Sequence, residues 1–476
     1  MPLFSLPSEN GIGDMGKSAY EFIDIIKKSG ITIWQILPLN PAGYGNSPYQ
    51  PYSSFAGDEI YINLNFLKRD GLIKSDIPEF SKHAKRVDYK AVREFKKPYL
   101  IEAFKNFKAT DDYKKFTEQK WVKDYCAYVA IKNAQDGKCW VDWEKEYKGY
   151  PEKEFELNLD IKADISYNMF LQYEFYIQWQ SIKKYANENG IRIMGDVPFY
   201  VGLDSADVWT NKKDFLLDSD GRPNFIAGVP PDYFSATGQR WGNPIYDWDY
   251  MKKDNFKFWN ERIGYSAELF DIIRIDHFRA FDTYWSIPSS CPTAIDGEWL
   301  EAPGYEVIGG IKKNIPNAEL VAEDLGELRD EVTILKDHFN LKGMKVLMFA
   351  LNLDSRIAKD GFKEKENLIV YTGTHDNDTI VEWYKKLSTA KKRKLRRFFR
   401  RNNLKDGTLN DKFILYALRS DAQYAIISMP DLISAGKEGH INTPGTVGSP
   451  NWEWREPDYE RIKKSLQRYS PYMRRN

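Results

Sequence analysis

Residues Asp271–Phe281 read DIIRIDHFRAF. Three isoleucines, Ile272, Ile273 and Ile275, mark a buried strand, yet the stretch closes on Arg274, Asp276 and His277. Alternate residues of a strand share a face, so Arg274 and Asp276 point the same way. An arginine and an aspartate at the end of an apolar run fit a strand whose C-terminal end opens into a cleft. Three other runs end alike. IRIMGDV (191–197) brings Asp196, LVAEDLG (320–326) brings Glu323 and Asp324, and IVYTGTHDND (369–378) brings His375, Asp376 and Asp378.

These runs belong to a set of eight: 2–6, 31–39, 191–199, 270–276, 318–326, 343–350, 367–376 and 423–433. Most are continuously apolar rather than alternating, as parallel strands covered on both faces are. Amphipathic stretches lie between several of them, at 18–28, 167–186 and 329–338, and Gly30 is a stop signal for the first. The expectation is an α/β fold, a (β/α)8 TIM barrel. Residues 1–65 and 165–476 would form the barrel. A mostly helical insertion at 66–164 would follow the second strand, with Val92, Phe95, Tyr99, Ala103 and Phe107 near one helix face. An irregular, Gly- and Pro-rich insertion at 200–250 would follow the third, and long irregular loops tend to be functional.

The 476 residues carry 69 basic and 69 acidic side chains, so no net field draws the chain to nucleic acid or to an acidic membrane. The basic run KKRKLRRFFRR (391–401) holds one apolar stripe, Leu395, Phe398 and Phe399, and reads as a solvated amphipathic helix. Three cysteines with no C-x-x-C spacing argue against a disulfide framework. Five histidines without paired spacing argue against zinc. The N-terminus lacks the basic flank and apolar core of a signal peptide. A cytoplasmic protein that needs neither metal nor cofactor, and that has no nucleic-acid, membrane or protein partner, is expected.

GIGDMG (11–16) matches the glycine pattern of a dinucleotide loop. Such a loop follows a strand directly and needs an acidic residue after the next one. Here Pro7–Asn10 intervene, and the next strand ends in Leu37–Asn40 without an acid. A glycine-rich turn feeding a helix is the better reading. The carboxylates carry more information. A single Asp after a strand is commonly a helix N-cap, but four strand ends with carboxylates, two of them accompanied by Arg or His, suit acid/base work on a glycosidic bond. That chemistry needs one carboxylate at the anomeric carbon and another to protonate the leaving oxygen. Arg274 beside Asp276 disfavours a metal, because one cation repels another.

RIDHFR (274–279), AEDLG (322–326) and TGTHDND (372–378), in that order, resemble the catalytic regions of the 4-α-glucanotransferases called amylomaltases or disproportionating enzymes, distant relatives of the α-amylases. GYGNSPYQPYSSFAGD (43–58), GDVPFYV (195–201), GVPPDYFSATGQRWGNPIYDW (228–248) and NTPGT (442–446) extend the resemblance over nearly the whole chain. Two departures are visible: a first barrel strand shorter than usual at MPLFSLPS, and Ala280 where the family typically has Gly. The resemblance implies transfer of α-1,4-glucan segments from a malto-oligosaccharide to the 4-hydroxyl of glucose or a glucan. The alternative is an α-amylase-like retaining hydrolase.

By the same resemblance, Asp276 is the nucleophile, Glu323 the general acid/base and Asp376 the carboxylate that favours a distorted sugar ring. Retention requires the first two about 5–5.5 Å apart. Arg274 would keep Asp276 ionised, and His375 would bind sugar hydroxyls. Asp196 would support the site or brace Arg274, and His277 would hold a hydroxyl or be packed. Asp232, Tyr233 and Phe234 would form a lid over the bound chain. Trp241 and Asn243 would meet the acceptor, Tyr44 would stack on the donor end, and Asn442 would contact a hydroxyl.

Overall fold

A computed structural model describes residues 1–149, 157–231, 235–326, 328–351 and 367–473. Its strands, in chain order, are β1 (Ile33–Gln35), β2 (Arg192–Val197), β3 (Phe225–Val229), β4 (Gln239–Pro244), β5 (Ile272–Ile275), β6 (Thr283–Pro288), β7 (Glu298–Glu301), β8 (Glu319–Ala322), β9 (Gly343–Val346), β10 (Leu368–Tyr371) and β11 (Tyr424–Ile426). Two parallel sheets, β1-β2-β5-β8 and β9-β10-β11, are joined by a parallel bridge between Val321 and Lys342. The bond from the Ala322 amide to the Lys342 carbonyl, 2.8 Å, belongs to the same junction. The result, among the described residues, is an α/β succession of seven parallel strands with helices between them. Among the described residues no helix is long and apolar enough to cross a membrane.

β5 shows why the quoted stretch sits as it does. Ile272 joins Met194, Val321 and Met344 in one apolar cluster, whereas Ile273 and Ile275 join the cluster on the other face. All three are at most 1% exposed, and their burial contributes roughly 5–9 kcal/mol. Arg274 shares the face of Ile272 and lies in register with Asp196 of β2 and Val321 of β8.

Two expectations differ from the structure. PLFSL is not a strand: Leu3–Ser5 form one 3₁₀ turn with all three residues buried. Its polar groups bond elsewhere, Ser5 Oγ to the Trp454 carbonyl at 2.6 Å and the Ser5 carbonyl to the Glu456 amide at 3.0 Å. A short apolar run reads alike as strand or buried turn, because only burial is encoded. The interval 200–250 is not wholly irregular either. It contributes β3 and β4, which combine with β6 and β7 in an antiparallel sheet of order β4-β3-β6-β7.

Other elements follow the sequence closely. The first long helix spans Lys17–Lys28, and Gly30 beyond it takes the left-handed φ of +82° that ends helices. Between β1 and β2 lie the helices Leu64–Arg69, Tyr89–Asn106, Asp111–Thr117, Lys120–Ala134, Lys145–Lys148 and Leu159–Glu188. Thr389–Arg401 is a helix that buries Leu395, Phe398 and Phe399. GIGDMG is packed from within. Asp14 is 1% exposed and accepts from the Gly16 amide at 3.0 Å and from Asn63 Nδ2 at 2.9 Å. Lys96, also buried, lies 3.5 Å from Asp14 and donates to the carbonyls of Ile60 and Ile62. A Cβ on Gly13 would stand 2.0 Å from the Leu3 carbonyl oxygen, so close packing accounts for this glycine.

Candidate active site

Asp276 follows the last residue of β5, and its backbone amide donates to the Val197 carbonyl at 3.0 Å. Its carboxylate meets Arg274 Nη2 at 3.1 Å. Nη1 of the same guanidinium lies 2.7 Å from both oxygens of Asp196. Arg274 thus clamps two carboxylates, as its planar fork allows. Burial works against its charge, but Asp196 and Asp276 outweigh burial and hold it protonated. Burial raises the Asp276 pKa to about 6 against the pull of Arg274. The side chain remains 30% exposed, so it is open to a reactant in the cleft.

Glu323 stands one residue past β8. Its Oε2 accepts from the His277 amide at 2.8 Å and its Oε1 from the Leu325 amide at 3.2 Å. The Glu323 amide donates to the Ile275 carbonyl, and the Phe278 amide donates to the Glu323 carbonyl. The two strand ends are therefore laced together through the backbone. Burial first, and the charge of Asp276 second, raise Glu323 to about 7. The two carboxyls are pushed to different values, the arrangement that lets one act as a base or nucleophile while the other keeps a proton.

Asp376 lies beyond β10. Asn442 Nδ2 donates to its Oδ1 at 2.6 Å, and His375 Nε2 is 3.3 Å from its Oδ2. Burial would raise its pKa, but His375 and Asn442 outweigh burial and hold the carboxylate below its usual range. The His375 imidazole is correspondingly raised, because Asp376 overrides the burial that disfavours its charge. Its ring stacks on Tyr49, centroids 5.0 Å apart and planes 23° apart, with Trp452 at 5.5 Å. Tyr49 was not singled out in the sequence. Its hydroxyl donates to Asp196 Oδ2 at 2.7 Å, so it ties the loop before residue 50 to the carboxylate that braces Arg274. The one available signal was its place in the GYGNSPYQ turn.

The remaining candidates divide. His277 adopts a left-handed φ of +51°. Its ring faces the edge of Trp241, centroids 4.9 Å apart, and its Nε2 has no hydrogen-bond partner among the described residues. Burial, and then Arg279, depress its pKa to about 3, so the ring is neutral. Asn243 is 4% exposed, and its side chain is engaged by the Val201 carbonyl at 2.9 Å and Gln50 at 3.1 Å. Tyr44 is 78% exposed in the turn Tyr44–Asn46. Asp232, Tyr233 and Phe234 lie outside the described residues. Two strand-end acids are held in ion pairs, Asp324 with Lys336 at 3.0 Å and Asp378 with Lys386 at 2.6 Å.

The chain is similar to known proteins along nearly its whole length. The model of a glycoside hydrolase family described as 4-alpha-glucanotransferase matches residues 1–459. A 4-alpha-glucanotransferase of Aquifex aeolicus is 40% identical over 471 residues, covering 98% of this chain and 96% of the relative. Another, from Clostridium butyricum, is 41% identical over 468 residues, with 96% of each covered. The solved amylomaltase of Streptococcus agalactiae in complex with acarbose superposes with a TM-score of 0.92 at 35% identity, covering 100% of this chain and 99% of that one.

Proposed function

Because the chain belongs to the 4-alpha-glucanotransferase family, an enzyme family that transfers α-1,4-glucan segments, we propose that it does so with Asp276 as nucleophile, Glu323 as general acid/base and Asp376 as the sugar-holding carboxylate. The observation that carries the reading is the Arg274-clamped Asp276 beside a Glu323 whose pKa is raised to about 7. Glu323 protonates the leaving 4-oxygen of the donor while Asp276 attacks the anomeric carbon. The covalent glycosyl-enzyme forms and the shortened glucan departs. Glu323, now ionised, takes the proton of an acceptor 4-hydroxyl as that oxygen displaces Asp276. Two inversions give net retention. Asn442 and His375 fix Asp376 toward the hydroxyls of the reacting sugar. Arg274, held by Asp196, which Tyr49 braces in turn, positions Asp276 and favours its ionised form.

The seven parallel strands support a (β/α)8 barrel whose C-terminal strand ends form the mouth. Residues 66–164 form the insertion subdomain of this reading, and 200–250 carry the lid. Malto-oligosaccharides, glucose and α-1,4-glucans are the substrates, by analogy with the acarbose-bound amylomaltase, and the cytoplasm is the compartment. Trp241 and His277 shield the intermediate from water and meet the acceptor, while Tyr44 stacks on a sugar of the donor chain. Asn243 holds the Gln50 loop in place.

Incubation with maltotriose is expected to give glucose together with a ladder of longer oligosaccharides. Glucose and maltose alone would overturn transfer in favour of hydrolysis. The pH dependence follows from the two carboxyls. Asp276 must be ionised to attack, so kcat/KM should fall as pH drops through about 6. Glu323 must carry its proton for the first step, so kcat/KM should fall again above about 7. A narrow bell is the expected profile, its two limbs belonging to the coupled pair rather than to either group alone. A flat profile from about pH 5 to about pH 8 would contradict the assignment.

A further inference from the structure

Asp196 and Asp276 engage Arg274 through its Nη groups. The guanidinium has one further donor, the N–H on Nε. That group points away from both carboxylates, to the sulfur of Met344 at 3.3 Å. Both side chains are buried, so an Nε–H left without an acceptor would be costly.

Met344 is placed for this contact from two sides. It lies on β9, in the apolar cluster with Met194, Ile272 and Val321. This is the cluster on Arg274's own face of β5. The Met344 backbone amide donates to Asp324 Oδ1 at 2.6 Å, and Lys336 fixes Asp324 in turn at 3.0 Å. Gly343 permits that approach, because a Cβ there would stand 2.4 Å from Asp324 Oδ2. Asp324 directly follows Glu323. The strand end that carries Glu323 therefore also holds the strand that carries Met344.

A thioether suits this position for an electrostatic reason. It is a weak, uncharged acceptor. A hydrocarbon would orphan the Nε–H and leave the guanidinium plane free to tilt. A third carboxylate would compete with Asp276 for the arginine's charge. Sulfur satisfies the donor and leaves that charge to Asp196 and Asp276.

We propose that Met344 is a positioning residue for the nucleophile: its sulfur fixes the plane of Arg274 so that Nη2 stays on Asp276. The inference rests on the nucleophile assignment above and adds a residue that acts only through Arg274.

Met344→Leu nearly keeps the volume of the side chain and removes the acceptor. Its kcat for maltotriose transfer should fall about tenfold, since small misplacements of reacting groups are costly. Glycosylation by an α-glucosyl fluoride should fall by the same factor. Fluoride departs without a proton, so this rate reads attack by Asp276 and not proton donation by Glu323. The acid limb of kcat/KM should move up by about half a pH unit, because Asp276 loses part of the pull of Arg274 while Asp196, His375, Asp376 and Glu323 still face it. Met344→Gln returns an uncharged acceptor through its carbonyl oxygen. It should restore the limb and bring kcat to within about threefold of native. Met194→Leu alters another methionine of the same cluster, one that accepts from the Tyr371 hydroxyl instead, and should leave the limb in place. The position of a limb does not depend on how much enzyme is folded, so a less stable variant remains readable.

A Leu variant with native kcat and an unmoved limb overturns the proposal. So does a Gln variant whose limb moves as far as that of the Leu variant, which would make Met344 a packing residue alone. Either result is compatible with an inactive Asp276→Asn variant. An active Asp276→Asn variant would instead overturn the nucleophile assignment itself.

Discussion

Asp276→Asn is expected to lower kcat for maltotriose transfer by at least about 10⁴-fold, the scale on which removal of a catalytic nucleophile acts. The amide keeps the size of the carboxylate but cannot form a stable ester with the anomeric carbon. Folding should be little affected, since Arg274 retains Asp196 on Nη1. Near-native KM or glucan binding, with lost kcat, separates this from unfolding. The role can be read chemically as well. An Asp276→Gly variant supplied with an α-glucosyl fluoride and azide should release the β-glucosyl azide, because azide enters from the face that the carboxylate vacates while fluoride departs from the other. An Asn variant retaining more than about a tenth of native kcat would remove Asp276 from the nucleophile's place.

The legible part of the site is the part written locally along the chain. Asp276 and Glu323 each follow an apolar strand directly and Asp376 follows one after a short polar turn, so chain order alone puts them at one end of a parallel set. The tie between Arg274 and Asp276 is an i,i+2 relation across the end of β5 and was legible for the same reason. What the sequence hides is contributed from a distance. Tyr49 reaches Asp196 across 147 residues and has no periodic pattern to announce it. The left-handed backbone of His277 is uncommon for any residue but glycine and is not announced by the sequence. It lets the His277 amide turn onto Glu323 Oε2, a contact that no motif spacing expresses. The sheet β4-β3-β6-β7 escaped for a similar reason. Its strands β3 and β4 lie in a Gly- and Pro-rich excursion, and β3 pairs with β6, which follows β5 in sequence. PLFSL shows the opposite failure, in which burial is predicted correctly and its geometry is not. Leu3 and Phe4 are buried, but the Leu3 carbonyl bonds within its own turn, and the neighbouring Ser5 bonds to Trp454 and Glu456, which only the fold brings near.

Glu323→Gln should cost about 10²–10⁴-fold in kcat with maltotriose, the usual contribution of a positioned general acid. Glutamine preserves the acceptor for the His277 amide through its carbonyl oxygen, so the link between the ends of β5 and β8 survives. What disappears is the proton that burial and Asp276 hold on Glu323 up to about pH 7. The loss should therefore depend on the leaving group. Fluoride needs no proton to depart, so glycosylation of the Gln variant by an α-glucosyl fluoride should run within about tenfold of the native rate. The second step then stalls, because no base remains to take the acceptor's proton. Azide, which carries no proton to lose, should release the intermediate as the α-glucosyl azide, the anomer opposite to that from the Asp276→Gly variant. The alkaline limb of the pH profile should also vanish, since it belongs to the group removed. Equal losses with fluoride and with maltotriose would mean that Glu323 acts by positioning, and the acid would then have to be sought at another strand end.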